Sequence, residues 1–402
     1  MEDNMKKKLL AVVLCLALVA TLAAGLAACN DQDDEFKIGL ILLHDEKSTY
    51  DKNFIDAMNE VQAKLGLKDS QVIMKTDIPE GDACYVAAAD LVDQGCDIVF
   101  ADSFGHEDYM IKAAKEFPDV EFCHATGTKA HTENLPNYHN AFASIYEGRY
   151  LAGIAAGMKL NAMLEAEEIT TPKMGYVGAF TYAEVISGLT SFYLGAKSVC
   201  ENVVMDVTFT GSWYDENAER QAAIALIERG CELISQHADS MGAPSACEEA
   251  GVPNVSYNGS TQASCPETYI VSSRINWAPY FEYIIDCVQN GKEIAVDWCG
   301  GIAEGSVVLT AINTAVAAPG TQAAIDAAIN QFKAGTLHVF DCNNFTVGGQ
   351  KITSYMADVD FDPNFTADTE VVENGVFYES KFCSAPYFDL RIDGINFLDE
   401  MY

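Results

Sequence analysis

Four short stretches set aromatic rings beside groups that can grip the edge of a polar ring: Tyr50-Asp51, Ser103-Phe104, Ser212-Trp213-Tyr214-Asp215 and Asn276-Trp277. A planar ligand slotted between aromatic faces gains stacking and burial. A carboxylate or amide beside it fixes ring N–H groups or sugar hydroxyls. For any one of these aromatics, packing between elements explains its presence as well as ligand contact does; their recurrence at equivalent positions is what favours binding. Residue sets for covalent chemistry are missing from the sequence. There is no G-x-G-x-x-G, no Walker lysine loop, no G-x-S-x-G elbow and no H-E-x-x-H. The seven histidines form no i, i+4 pair and stand beside no cysteine pair of zinc-ligand spacing. His237 near Asp239 offers an acid/base pair, but no motif marks a nucleophile for it. The expectation is a binding protein without cofactor or metal, and not an enzyme.

The elements that must hold these residues follow an α/β pattern. From Phe36 onward, short apolar runs alternate with amphipathic stretches, as in a parallel sheet covered on both faces. Strands are expected at 37–43, 71–74, 97–100 and 120–123. Helices are expected at 53–65, with Phe54, Ile55, Met58, Val61 and Leu65 on one stripe, and at 83–94, with Val86, Ala87, Leu91 and Val92. A second series starts at 174–177 and runs through 203–209, 232–235 and 252–257. Each aromatic stretch then falls at or near the end of a strand, at the lip of a cleft between two lobes. Tyr50-Asp51 precede the first helix, and Asn276-Trp277 open a later one.

A partial internal repeat supports two similar lobes. Leu91-Val92-Asp93-Gln94-Gly95-Cys96-Asp97-Ile98-Val99, followed by Ala101-Asp102-Ser103, is matched by Leu226-Ile227-Glu228-Arg229-Gly230-Cys231-Glu232-Leu233-Ile234, followed by Ala238-Asp239-Ser240. The spacing differs by two residues. Helix-glycine-strand is a common turn solution, but the match extends over the whole unit. Because ligands of open α/β sheets sit outside the carboxyl ends of strands, both Asp-Ser pairs are expected to face the cleft.

Composition restricts partners and compartment. The 402 residues carry 24 basic and 59 acidic side chains, a formal net charge of −35, which disfavours nucleic acid and anionic headgroups as partners. Lys6, Lys7 and Lys8 precede an apolar run from Leu9 to Ala23, and small residues lead to Cys29, the pattern of an export signal and too short for a typical spanning helix. Leu26-Ala27-Ala28-Cys29 resembles the bacterial lipobox, which implies cleavage before Cys29, a diacylglyceryl thioether on it and a hydrophilic tether from Asn30 to Glu35. A signal peptide followed by disordered sequence is the alternative. Of the 13 cysteines, one is Cys15 in the leader and one is Cys29, so the remaining number is odd and cannot pair fully. Cys84, Cys96, Cys123, Cys200, Cys231 and Cys287 sit in apolar patterns, where a free thiol packs as a small hydrophobe.

Several blocks together resemble the basic membrane protein (Bmp) family of lipoproteins, purine-nucleoside-binding components of ABC importers. Phe122-Cys123-His124-Ala125-Thr126-Gly127 and Tyr146-Glu147-Gly148-Arg149-Tyr150-Leu151-Ala152-Gly153-Ile154-Ala155-Ala156-Gly157 carry the likeness. Tyr50-Asp51-Lys52-Asn53-Phe54, Asp102-Ser103-Phe104-Gly105, Trp213-Tyr214-Asp215 and His237-Ala238-Asp239-Ser240 agree with it, and it runs from about Phe36 to Phe340. The resemblance implies a type I periplasmic-binding-protein clamp. Trp213 and Phe104 would stack on a purine, and Asp51, Ser103 and Asp239 would bond its polar edges. Asn258 falls where many relatives place an aspartate for ribose hydroxyls, and Arg274 falls near their lysine. Tyr50, Asn276 and Trp277 complete the expected site.

An amide in place of that aspartate leaves a free base or a differently held nucleoside open. The implied partners are a purine nucleoside or nucleobase, an ABC permease with its ATPase, and a membrane reached through lipid on Cys29. The expected organisation is a signal at 1–28, a linker at 29–35, one lobe at 36–145 and 277–300, a second at 146–276 and 301–345, and a 346–402 extension without assigned role. A sugar or autoinducer receptor of the same fold, a surface sensor and a nucleoside hydrolase are the competing readings.

Overall fold

A computed structural model describes residues 35–360 and 369–402. The leader, Cys29 and nearly all of the proposed tether lie outside the described residues. Strands β1 (Ile38–Ile41), β2 (Val72–Lys75), β3 (Ile98–Ala101), β4 (Glu121–Ala125) and β5 (Tyr138–Ala143) alternate with helices α1 (Thr49–Leu65), α2 (Asp82–Asp93), α3 (Glu107–Glu116) and the short α4 (Ala130–Glu133). After α5 (Ile145–Glu165) the pattern restarts. It runs through β6 (Lys173–Gly178), α6 (Ala183–Val199), β7 (Val204–Phe209), α7 (Glu216–Glu228), β8 (Leu233–Gln236), α8 (Gly242–Ala250), β9 (Asn254–Tyr257) and β10 (Tyr269–Ile275). The chain then crosses back through α9 (Ala278–Gln289), which packs on α1, and β11 (Asp297–Gly300), before β12 (Val307–Leu309) and α10 (Thr321–Lys333).

The first sheet has the order β11-β5-β4-β3-β1-β2 and is parallel throughout. In the second, β12-β10-β9-β8-β6-β7, only β12 runs antiparallel. Both faces of these sheets are covered, and β1, β3 and β8 are buried along their whole length, which is why β1 and β3 read as apolar runs rather than as alternations. The two repeated units occupy the same place. β3 and β8 are each third in their sheet, counted from β2 and from β7. Each is entered through a left-handed glycine, Gly95 at φ 80° and Gly230 at φ 81°.

Helix α1 begins at Thr49, four residues before the expected start at Asn53. Ser48 caps it by accepting from the Asp51 backbone N–H, and Gly66 closes it in the left-handed region at φ 68°. Tyr50 and Asp51 therefore belong to its first turn instead of preceding it. The buried stripe is Phe54, Ala57, Met58 and Val61, while Leu65 is exposed. Helices α5 and α6 press backbone to backbone. A Cβ on Gly153 would stand 2.1 Å from the Phe192 carbonyl oxygen, and one on Gly195 2.0 Å from that of Tyr150. The spaced glycines of the Tyr146–Gly157 block thus serve helix packing.

The described residues of the C-terminal extension are folded onto both lobes. Two small hairpins, β13 (Met356–Ala357) with β14 (Thr369–Glu370) and β15 (Val372–Glu373) with β16 (Val376–Phe377), lead to β17 (Ile395–Phe397), which adds a parallel edge strand beside β7. Ser384 donates from backbone and hydroxyl to Asp297 at 3.0 and 2.7 Å, and Thr181 N–H donates to the Met401 carbonyl at 2.6 Å. Among the described residues no helix is long and apolar enough to cross a membrane. All eleven cysteines there are free, ten of them buried.

Candidate functional site

A cavity of about 420 Å³ of atom-free space, part of it open to solvent, lies between the carboxyl ends of the strands of both sheets. One lobe supplies Leu43 and His44 after β1, Tyr50 and Asp51 from α1, Ser103 and Phe104 after β3, and Thr126 after β4. The other supplies Glu184 from the first turn of α6, Trp213 after β7, His237 and Asp239 after β8, and Tyr257 at the end of β9. The lobes touch across it. Thr49 donates from its hydroxyl to the Asp239 carbonyl at 3.1 Å, and Asn53 donates to Asn258 at 3.1 Å.

On the first lobe the carboxylate of Asp51 is 1% exposed. It accepts from the His44 backbone at 2.7 Å and meets His44 Nδ1 at 3.3 Å. Burial alone would raise its pKa, but bonds from His44, Asp102 and Ser48 outweigh it and hold the group low; the same bond to Asp51 raises His44. Behind it lies Asp102. Burial first, and the Asp51 charge second, push Asp102 well above the carboxylate range, so it is a neutral acid facing Asp51 and accepting from Leu43 N–H at 3.1 Å. Tyr50 Oη donates to the Asp102 carbonyl at 2.7 Å, and Ser103 Oγ donates to Glu80 at 2.6 Å.

On the second lobe a buried relay backs the wall. Arg149 donates to the Gln236 carbonyl at 2.8 Å and to His237 Nδ1 at 3.0 Å, and its guanidinium lies 3.2 Å from the Tyr257 ring centroid. Since arginine only donates, His237 accepts at Nδ1, and as the neutral ring it carries its proton on Nε2, 3.3 Å from Glu184. Burial first, then Arg149, lower the pKa of His237 and keep it neutral. Asp239 accepts from Asn258 at 3.3 Å and is pushed well up, mainly by burial and then by the neighbouring carboxylates of Glu219, Asp51 and Glu184. Its loop is held by Glu219, which accepts from the Ser240 N–H at 3.2 Å.

Aromatic rings gather at the mouth. Phe180 stacks on Tyr182 at 5.1 Å and meets the edge of Trp213 at 5.1 Å, while Phe104 reaches Tyr182 across the lobes at 5.7 Å. Among the described residues, neither lysine nor arginine lines the cavity.

Of the residues expected from sequence, the structure brings Tyr50, Asp51, Ser103, Phe104, Trp213 and Asp239 to the wall. Asn258 is one layer behind, fully buried between Asp239 and Asn53. Three expectations are corrected. Trp277 is 1% exposed and stacks on Phe54 at 4.5 Å, because the turn it opens is a crossover into the core of the first lobe. Asn276 braces that crossover by donating to the Gly305 carbonyl at 3.1 Å. Arg274 lies on β10 opposite Val308 of β12, toward the far side of the sheet from β6 and β8. Leu43, His44, Thr126, Glu184, His237 and Tyr257 were not selected from sequence as cavity residues. All but Glu184 stand at or just past a strand's carboxyl end, and Glu184 follows in the first turn of the next helix. The rule that found Ser103 would have found them had it been applied to β1, β4, β6, β8 and β9.

Two α/β lobes with a cavity between their strand ends define a solute-binding clamp. The fold is that of a solved ABC transporter solute-binding protein from Conexibacter woesei, which superposes with a TM-score of 0.62 at 20% identity, covering 75% of this chain and 98% of that one. The chain belongs to the Bmp family: residues 40–333 match the model of the PnrA-like ABC transporter substrate-binding proteins. A purine-binding protein of Brucella abortus is 31% identical over 297 residues, 73% of this chain and 80% of its own. A putative ABC transporter glucose-binding protein of Haloferax volcanii is 35% identical over 213 residues, 53% of this chain and about half (51%) of its own.

Proposed function

We propose that this substrate-binding protein is a lipid-anchored receptor, tethered outside the cytoplasm through Cys29, that closes on a purine nucleoside or nucleobase and presents it to an ABC permease. The observation that carries the reading is the meeting, in one cavity, of rings and carboxyl groups from both lobes. A ligand shifts an open-closed equilibrium only through contacts that differ between the two states, so it must touch both lobes. Here Phe104 and Asp51 come from one side and Trp213 and Asp239 from the other. Trp213 and Phe104 take the base faces; Asp51, Asp239 and Ser103 take N–H and hydroxyl edges. The carboxyl groups and the absence of lysine or arginine on the wall favour a neutral ligand over a phosphorylated one. No covalent step is needed, and the bound solute leaves unchanged.

Calorimetry of the mature chain with adenosine, guanosine, inosine, hypoxanthine, AMP and glucose tests the reading. Saturable binding of a nucleoside or base, with AMP much weaker and inosine recovered intact, is the expected result. Binding of glucose alone would replace it by the sugar reading, which the Haloferax relative favours. Release of the protein by Cys29→Ser with unchanged affinity tests the anchor separately.

A further inference from the structure

Arg149 is a buried cation whose partners, among the described residues, include no carboxylate: it bonds the Gln236 carbonyl and His237 Nδ1 and lies over the Tyr257 ring. A buried charge is costly unless it is met by an opposite one. Arg149 reaches its counter-charge through the imidazole. His237 accepts from Arg149 at Nδ1 and donates from Nε2 to Glu184 Oε1 at 3.3 Å, so guanidinium, ring and carboxylate form one chain that ends on the cavity wall. Gly188, one turn along α6 from Glu184, leaves room for it: a Cβ there would stand 3.1 Å from His237 Nδ1 and 3.6 Å from Arg149 Nε. Glu184 differs from the other carboxyl groups on the wall. Asp51 is buried with both oxygens facing His44, and Asp239 is buried, bonded to Asn258 and neutral. The Glu184 side chain keeps 16% of its surface exposed, and among the described residues only its Oε1 is bonded.

We propose that Glu184 is a specificity-determining residue that accepts an N–H from the edge of the bound base at its open oxygen, and that Arg149 and His237 are positioning residues that hold it there as an acceptor. The assignment rests on the purine reading and names the group that reads the base. Trp213, which takes a base face in that reading, has its ring 6.4 Å from that of His237, so a purine stacked on it turns an edge toward the carboxylate bonded to His237. The positive charge behind the imidazole favours an acceptor at this point of the wall, and a base whose facing edge carries only lone pairs is disfavoured. Hypoxanthine offers N1–H there, and guanine adds an amino group.

Calorimetry of the mature chain and of Glu184→Ala, Glu184→Gln, His237→Leu and His237→Gln with hypoxanthine and with inosine decides it, and melting without ligand checks that each variant is folded. Glu184→Ala and Glu184→Gln should each weaken both ligands by roughly tenfold or more. His237→Leu should weaken them too. His237→Gln, whose amide oxygen can accept from Arg149 while its amide nitrogen donates to Glu184, should recover most of that loss; a purely structural role would not be rescued by matched hydrogen bonding. Should His237→Leu fail to fold, the Glu184 variants still decide. The proposal is overturned if either folded Glu184 variant binds like the parent, or if inosine alone weakens, which would put the contact on the ribose. A folded His237→Gln as weak as His237→Leu would overturn the positioning role. A parent that binds neither ligand defeats the purine reading itself, whereas a parent that binds both beside an undiminished Glu184→Ala defeats only this assignment.

Discussion

The two lobes carry the same strand-end pair, Asp102-Ser103 and Asp239-Ser240, and use it in opposite ways. In the first lobe the serine lines the cavity and the aspartate is turned behind it as a neutral acid. In the second the aspartate lines the cavity, and the serine turns inward to cap the Gly242 N–H at 3.0 Å. The two extra residues after β8 account for the exchange, since Asp102 is the first residue past its strand and Asp239 the third past its own. The supports differ too. Ser103 leans on the exposed Glu80, whereas Ser240 is held by Glu219, which is fully buried. Similar local sequence therefore presents a hydroxyl at one strand end and a carboxyl group at the equivalent end of the other lobe, an asymmetry suited to a ligand with unlike edges.

The strongest way to break this comparison is through the buried support. Burial, partly offset by bonds from Ser240 and Asp215, lifts the folded pKa of Glu219 to about 7 from an ordinary 4.5. The folded state thus holds this proton more tightly than the unfolded chain. Its stabilisation is complete below the unfolded pKa and is lost as pH rises through about 7, by up to roughly 3 kcal/mol. Urea unfolding from pH 4.5 to 7.5 should show stability falling, and Glu219→Gln should remove part of the slope. Glu147, also at about 7, contributes with the same sign, and His106 and His124, lowered to about 4 by burial, contribute with the opposite one. An unchanged slope in Glu219→Gln would sink the assignment.

Next in size is the cavity-lining carboxyl group itself. Asp239→Ala is expected to weaken purine binding roughly hundredfold, about 2.8 kcal/mol, while Asp102→Asn, which mimics the neutral acid, stays within about threefold. Equal losses in calorimetry would show that the pairs do not differ. Trp213→Ala should cost about 2 kcal/mol through lost stacking, and Phe104→Ala less, because Phe104 is 42% exposed. Quenching of Trp213 fluorescence by ligand would give the same ranking. Smallest is the serine exchange. Ser103→Ala should lower affinity about threefold with little change in Tm, and Ser240→Ala should lower stability by about 1 kcal/mol and leave affinity alone.

Much of this architecture was legible in the chain. The apolar runs at 38–41 and 98–101 emerged as buried strands within a residue or two of their expected bounds, since sheets covered on both faces leave no alternation to misread. The extension escaped because its strands are only two or three residues long, and β17 is a strand only by virtue of pairing with β7. Within the site, Ser103, Phe104, Trp213 and Asp239 were found after strands, Thr126 and His237 in equivalent places were missed, and Trp277 was misplaced. A helix-opening aromatic looks the same in sequence whether its turn meets solvent or crosses into a core.

By itself, the sequence determined the α/β class, the doubled unit, the strand ends at which a ligand would sit and the acidic character that disfavours polyanions. Those properties reside in local periodicity and composition. Only the tertiary structure decided which member of each Asp-Ser pair faces the cavity, that Arg149 stands behind His237 and Tyr257, and that Trp277 belongs to the core. It also decided that the extension packs against both lobes, through Asp297 on one and Thr181 on the other. Each of these depends on contacts between residues tens to hundreds of positions apart, whose free energy is set by burial and partner geometry that no local pattern encodes.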